Sequence, residues 1–179
     1  MNIITRGTGK RTKVVTVTGH RPQHLDGDFT LTSPLWSWIA ARMDMCLVRA
    51  THLRCGMAVG VDLLAAERAY LLGVPYTAYV PFEGQAEKWP HESKIRYARV
   101  LSRASSCVMV NEGGYAAWKL HARNQAMLTG TAREDAEPFP DCLLAVWDGR
   151  GSGGTYQMTL LARKLGVSIE RIDPRQVPT

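Results

Sequence analysis

Three times along the chain an apolar run ends on glycine and gives way to a helical pattern, and this repeated junction restricts the fold more than any other feature. The three segments are VVTVTGHRP (Val14 to Pro22), GMAVGVD (Gly56 to Asp62, after the apolar triplet ending at Cys55) and LLAVWDGRGSGGT (Leu143 to Thr155). A glycine turn between a strand and a helix lets backbone amides approach an anion at the positive end of the helix dipole. The junctions therefore imply a ligand-bearing edge as well as an architecture.

Short apolar segments, rich in β-branched residues, alternate with helical stripes over the rest of the chain. Val14 to Thr18, Leu53 to Cys55, Thr77 to Val80, Cys107 to Val110, Leu143 to Trp147 and Ser168 to Ile172 read as six strands buried on both faces. Leu35, Trp38, Ile39, Cys46 and Ala50 mark the stripe of a first helix, with Ser33 as its cap and Pro34 at its first position. Tyr97, Val100, Leu101 and Ala104 mark a helix beginning near Pro90, Ala116 to Met127 another, and Met158, Leu161, Ala162 and Leu165 the last. Strands and helices alternating at these lengths imply right-handed parallel crossovers. The expected fold class is α/β, an open, doubly wound, mainly parallel sheet with helices on both faces. Gly73 and Gly166 follow helices and read as left-handed caps, whereas Gly19, Gly56, Gly60, Gly149, Gly151, Gly153 and Gly154 follow strands at the carboxyl edge, where such sheets hold ligands.

With 179 residues and 45% hydrophobic content, the chain has the size of one domain, expected over 14–179 and preceded by a flexible basic tail over 1–13 that carries Arg6, Lys10, Arg11 and Lys13. No apolar run approaches the roughly 20 residues of a membrane span, and MNIITRGTGKRTK has no apolar signal core, so a cytoplasmic protein without a membrane partner is expected. Cys46, Cys55, Cys107 and Cys142 lack the paired spacing of zinc or redox motifs and read as reduced core cysteines. His20, His24, His52, His91 and His121 show no ligand spacing either, and no metal is expected. A net charge of +6 favours an anionic partner. Trp36, Trp38 and Trp147 read as core, and Gly130 to Asp141 as a connection of lid-like length.

TGHRP at 18–22, GMAVGVDLLAAERA at 56–69, PFEGQAEKW at 81–89, RNQAM at 123–127 and WDGRGSGGT at 147–155 resemble, in this order, the YpsA-like branch of the SLOG superfamily. The similarity spans about residues 14–172. That superfamily also contains the lonely-guy phosphoribohydrolases, the DNA-processing protein that loads recombinase on single strands, and sensor domains for NAD-derived nucleotides. The resemblance implies a Rossmann-like fold and a nucleotide or nucleotide-derived ligand, of the NAD or ADP-ribose type among others, with no required cofactor. In the lonely-guy and DNA-processing relatives an arginine stands at the helix position of Arg123, and Gln85 and Trp89 match the family's PF-x-x-Q-x-x-x-W pattern; they are expected to wall a base pocket, since an aromatic face can stack on a nucleobase.

The residues supply a physical reading beside the resemblance. The amides of Gly153 and Gly154 and the hydroxyl of Thr155, after Ser152, face an anion at a helix N-terminus; Gly56 with Met57 offers a second set of amides, and Thr18, Gly19 and Arg21 a third that bears charge. Arg123 and Asn124 adjoin an apolar helix face, so Arg123 requires a carboxylate or an anionic ligand; Asp62, Asp148 and a ligand phosphate all qualify. Asp62 at its helix start suits capping, Asp148 before Gly149 suits a ribose hydroxyl or a plain turn, and Glu67 lies on a stripe with Leu63 and Tyr70. Asp62, Glu67 and Asp148 are the catalytic candidates.

Three function classes follow. The preferred one is a module binding or sensing a small nucleotide ligand. The second is a nucleoside-phosphate glycohydrolase cutting an N-glycosidic bond, and the third is a single-stranded DNA-binding or DNA-processing protein, for which the sequence offers no basic-aromatic track. A homodimer is compatible with all three. Lonely-guy enzymes place a glutamate shortly after the last loop's threonine, but Tyr156, Gln157 and Met158 follow Thr155 here, which argues against the second class.

Overall fold

The computed structural model describes residues 14–27, 29–131 and 139–178. The expected basic tail and the middle of the 130–141 connection lie outside the described residues. Strands and helices alternate throughout: β1 (Val14–Gly19), α1 (Pro34–Leu47), β2 (His52–Cys55), α2 (Val61–Leu71), β3 (Tyr76–Val80), α3 (His91–Ser102), β4 (Ser106–Met109), α4 (Ala117–Thr129), β5 (Cys142–Val146), α5 (Gly153–Lys164) and β6 (Ser168–Ile172). All strand pairs are parallel, in the order β4-β3-β2-β1-β5-β6. The chain winds outward from β1 to β4 and then returns to the other side of β1 to start β5. A crevice opens where the two directions part, above the carboxyl ends of β1 and β5. This is the α/β, doubly wound, Rossmann-like arrangement.

Alternation along β5 shows how the sheet feeds two cores. Cys142, Leu144 and Val146 pack with Trp36, Ile39, Met43 and Leu63 of α1 and α2, while Leu143, Ala145 and Trp147 pack with Met127 and Leu128 of α4 and Met158 and Ala162 of α5. Truncating one of the fully buried leucines to alanine costs about 2–5 kcal/mol. Burial on both faces holds for the inner strands but not at the rim. Ser106, Cys107 and Met109 of β4 are exposed, because β4 closes the sheet on one side and the helices cover its centre. Cys46, Cys55 and Cys142 are buried free thiols, as read from the sequence; Cys107 is not.

Helix α1 turns slightly from the expected phase. Its buried residues are Trp36, Ile39, Ala40, Met43, Cys46 and Leu47, leaving Leu35 and Trp38 half-buried. Trp36 is drawn inward because its indole N–H donates to Asp26 Oδ1 at 2.7 Å and its ring meets Phe29 at 4.7 Å, while Arg42 covers the Trp38 ring. Ser33 caps the helix by accepting the Trp36 amide at 3.4 Å, and Pro34 occupies the first turn. Gly73 and Gly166 adopt φ of 69° and 72° at the ends of α2 and α5, and the bonds from Val74 to Ala69 and from Val167 to Ala162 close both helices.

Candidate functional site

The loops after β1 and β2 are held together by close backbone approach. A Cβ at Gly19 would overlap Val61 at the start of α2, and one at Gly56 would overlap the Arg123 guanidinium and press on Asp62 Oδ2 at 2.8 Å. Gly60, the residue before α2, sits at φ 102°, and Met57 at φ 61° is the one non-glycine residue with positive φ among the described residues. A buried methionine in the left-handed region stores backbone strain next to the loop.

Arg123 reaches from α4 under this loop. Its Nη1 donates to the Gly56 carbonyl and lies 3.2 Å from Asp62 Oδ2, and Asp62 accepts the Ala58 amide at 3.2 Å. Both side chains are more than nine-tenths buried. Burial pushes the Asp62 carboxyl above its ordinary range, and Arg123 opposes that shift. Of the partners the sequence allowed for Arg123, the carboxylate is Asp62. Asp148 instead binds Arg150 and lies 3.1 Å from His20 Nε2, with Arg150 foremost in holding its carboxyl well below the usual range.

One cavity of about 440 Å³ lies above this pair, bordered by Thr18, Gly19, Arg21, Asp62, Arg123, Asn124, Ser152, Gly153, Gly154 and Thr155. The structure thus brings together most of the residues singled out in the sequence. Gly56 and Met57 lie beneath the cavity wall rather than on it, and Asp148 and Gly149 border an adjoining hollow with Arg171 and Arg175. Glu67 is elsewhere: it joins α2 to α3 through Arg96 at 2.5 Å and Arg99 at 3.1 Å. The wall of the cavity also carries residues the sequence reading did not select, namely His20, His24, His121 and Arg150. Burial lowers the His20 pKa below 6.5, against the pull of Asp148.

The N-terminus of α5 opens into this space. Ser152 precedes the helix without a side-chain capping bond, and Gly153 and Gly154 are exposed. First-turn amides have no acceptor within their own helix. Arg21, Arg123 and Arg150 border the same cavity as this helix terminus, Arg123 paired with Asp62 and Arg150 with Asp148.

A second hollow of about 270 Å³ continues from the first, sharing Arg21, Ala58 and Leu120 with it and adding Phe82, Gln85, Trp89 and Tyr115. Gln85 donates to the Met57 carbonyl at 3.1 Å, while its Oε1 is buried without a hydrogen bond. The Tyr115 ring is 69% exposed and meets Phe82 edge-on at 5.5 Å. Lys119 fixes the loop before Tyr115 by donating to the carbonyls of Glu112, Gly113 and Gly114 at 2.6, 3.2 and 2.7 Å, a role with no signature in the sequence. Among the described residues, no helix is long and apolar enough to cross a membrane.

Comparison with curated proteins returns no match. Comparison with family profiles reaches from β1 into the segment after α4, so that it takes in the β1 and β2 loops, the Gln85 to Trp89 segment and Arg123, and stops before the Gly153 to Thr155 loop. Residues 15–136, more than half of the chain, match the profile described as the YspA SLOG family (YpsA), and the chain belongs to that family.

Proposed function

We propose that this protein binds, and through binding senses, a phosphorylated nucleoside, with phosphate at the N-terminus of α5 and the base in the hollow beside Trp89 and Tyr115. The observation that carries the reading is the uncapped first turn of α5, which opens into the cavity that Arg21 and Arg123 border. The joined second hollow supports a nucleotide over a bare anion, because an aromatic surface with an unpartnered buried amide oxygen suits a base bearing an amino group. Membership of the family is consistent with a nucleotide-related role.

The geometry favours binding over glycosidic cleavage. Asp62 is the one carboxylate among the described residues bordering the cavity, and its Oδ2 already accepts from Arg123 and from the Ala58 amide. Asp148 stays ionised in its pair with Arg150, and Glu67 is committed to α3. Gln157 cannot exchange a proton near neutral pH.

Thermal shift with AMP, ATP, NAD, ADP-ribose and unphosphorylated adenosine tests the proposal. A nucleotide at a hundredfold excess over its Kd stabilises the native state by about 2.7 kcal/mol, and adenosine should do far less at the same concentration. An unmoved Tm with all four nucleotides at millimolar concentration contradicts the reading. Incubation with AMP should release no free base. Turnover near the enzymatic range of roughly 1–10³ s⁻¹, abolished by Asp62→Asn, would replace it with the hydrolase reading.

A further inference from the structure

Away from the cavity, three donor atoms from three different elements meet on the α1 face of the sheet. Cys46 lies near the end of α1, Cys142 begins β5, and Glu170 is the middle residue of β6. Cys142 pairs in register with Ser168, and Glu170, two residues on, projects to the same face as Ser168. The two sulfurs and a Glu170 carboxylate oxygen lie within 4.8 Å of one another, the one such cluster of three or more His, Cys, Asp or Glu donors among the described residues.

We propose that Cys46, Cys142 and Glu170 form a binding site for a thiophilic divalent cation of the Zn²⁺ class. At a Zn–S distance of about 2.3 Å, two sulfurs on a tetrahedral ion stand roughly 3.8 Å apart, so the atoms need only a small inward movement to reach coordination distance. Two thiolates and a carboxylate are the donor set that such ions prefer over Mg²⁺ or Ca²⁺. Both cysteines are buried, at 2% and 7% exposure, while the Glu170 side chain, 41% exposed, connects the cluster to solvent. On binding, two M–S bonds form as the two S–H protons pass to solvent. Arg49 lies 3.6 Å from Glu170 Oε2 and is itself 58% exposed, so a bound dication would supply the positive charge that a thiolate pair lacks.

A disulfide is the competing use of these sulfurs, but it would engage only two of the three groups and requires an S–S distance of about 2.05 Å. The site stands independently of the nucleotide proposal. Cys142 opens β5 and Asp148 follows its far end, six residues later and so roughly 20 Å away at about 3.3 Å per residue. The donors lie far apart in the chain, which is why the expectation of no metal, built on local spacing, could not have detected them.

The test is titration of the full, reduced, chelator-treated chain with Co²⁺, followed by absorbance. The proposal expects one equivalent to give sulfur-to-cobalt charge transfer and tetrahedral ligand-field bands, both erased by one equivalent of Zn²⁺. Cys142→Ser should strongly diminish the charge-transfer band, Glu170→Gln should weaken cobalt binding at least about tenfold, and Cys107→Ser at the exposed β4 cysteine should change nothing. Glu170→Gln, at a half-exposed position, keeps the test open if a core cysteine variant fails to fold. Absence of the bands in wild type, an unchanged band in Cys142→Ser, unchanged affinity in Glu170→Gln, or loss in Cys107→Ser overturns the proposal. So does a reducible Cys46–Cys142 disulfide in a protein whose reduced form takes up no cobalt.

Discussion

The two ends of α2 and α5, at opposite edges of the sheet, are treated in opposite ways, whereas α1 starts at the carboxyl edge with a Ser33 cap. At the amino edge, α2 and α5 finish on Gly73 and Gly166, and the bonds that follow satisfy their last carbonyls; the start of β1 is likewise closed, with the Val14 amide donating to Asp141 Oδ2 at 2.8 Å. At the carboxyl edge, α2 and α5 begin at Gly60 and Ser152 with no side-chain cap. Glycine stands at both edges but for different reasons: one set terminates helices, and the other permits close approach under a cavity. The contrast teaches that the helix ends sealed by backbone bonds hold the fold, while the start of α5 keeps first-turn amides available to the proposed ligand.

The largest expected effect tests whether the binding edge is also structural. Arg123→Ala leaves the buried Asp62 carboxylate without its counter-charge and the Gly56 carbonyl without its Arg123 donor, and should cost about 3–5 kcal/mol in denaturant-unfolding stability as well as nucleotide affinity. A cost below about 1 kcal/mol would detach Arg123 from the fold. Gly154→Val should separate the two roles: a Cβ there meets nothing nearer than Asn124 Nδ2 at 3.8 Å, so the fold persists while a bulky side chain blocks the amides. Loss of a charge-assisted contact worth about 1.5–3 kcal/mol corresponds to roughly 10- to 100-fold weaker binding by calorimetry. At the opposite edge, Gly73→Ala meets no atom within 4 Å and should cost only the left-handed conformation, about 1–2 kcal/mol, with nucleotide affinity unchanged.

The smallest effect concerns pH. Burial lowers His20 below its ordinary 6.5, opposed by Asp148 and reinforced by Arg150 and His24. The unfolded chain therefore takes up this proton before the folded protein does. His20 contributes stability that is fully present above pH 6.5 and is lost as pH falls from there through the folded value. His20→Gln should flatten that part of the stability–pH profile, as followed by urea midpoints; an unchanged slope would remove His20 as its source.

What could be read from the sequence was local. The strand positions, the Ser33–Pro34 start of α1, the caps at Gly73 and Gly166 and the glycine loops all rest on neighbouring residues, and the structure places them within a residue or two of where pattern and propensity put them. What could not be read was partnership across the fold. Nothing near Arg123 reveals that its carboxylate stands 61 positions away at Asp62, and Glu67, though it ranks below Asp62, stays a catalytic candidate until α3 brings Arg96 to it. For His20 the sequence offers only the local test of ligand spacing, which it fails; its contact with Asp148 depends on β1 lying beside β5. The rotation of α1 onto Trp36 likewise depends on Asp26, outside the helix.

The claim that the carboxyl edge is kept open for a phosphorylated nucleoside is tested most directly by amide-resolved NMR during titration with AMP, with adenosine as the control. The account predicts saturable shifts concentrated on the amides of Gly19, Gly153, Gly154 and Thr155, spreading to Trp89 and Tyr115, and much weaker shifts with adenosine. Shifts centred on the amino edge, or none at millimolar AMP, would contradict it.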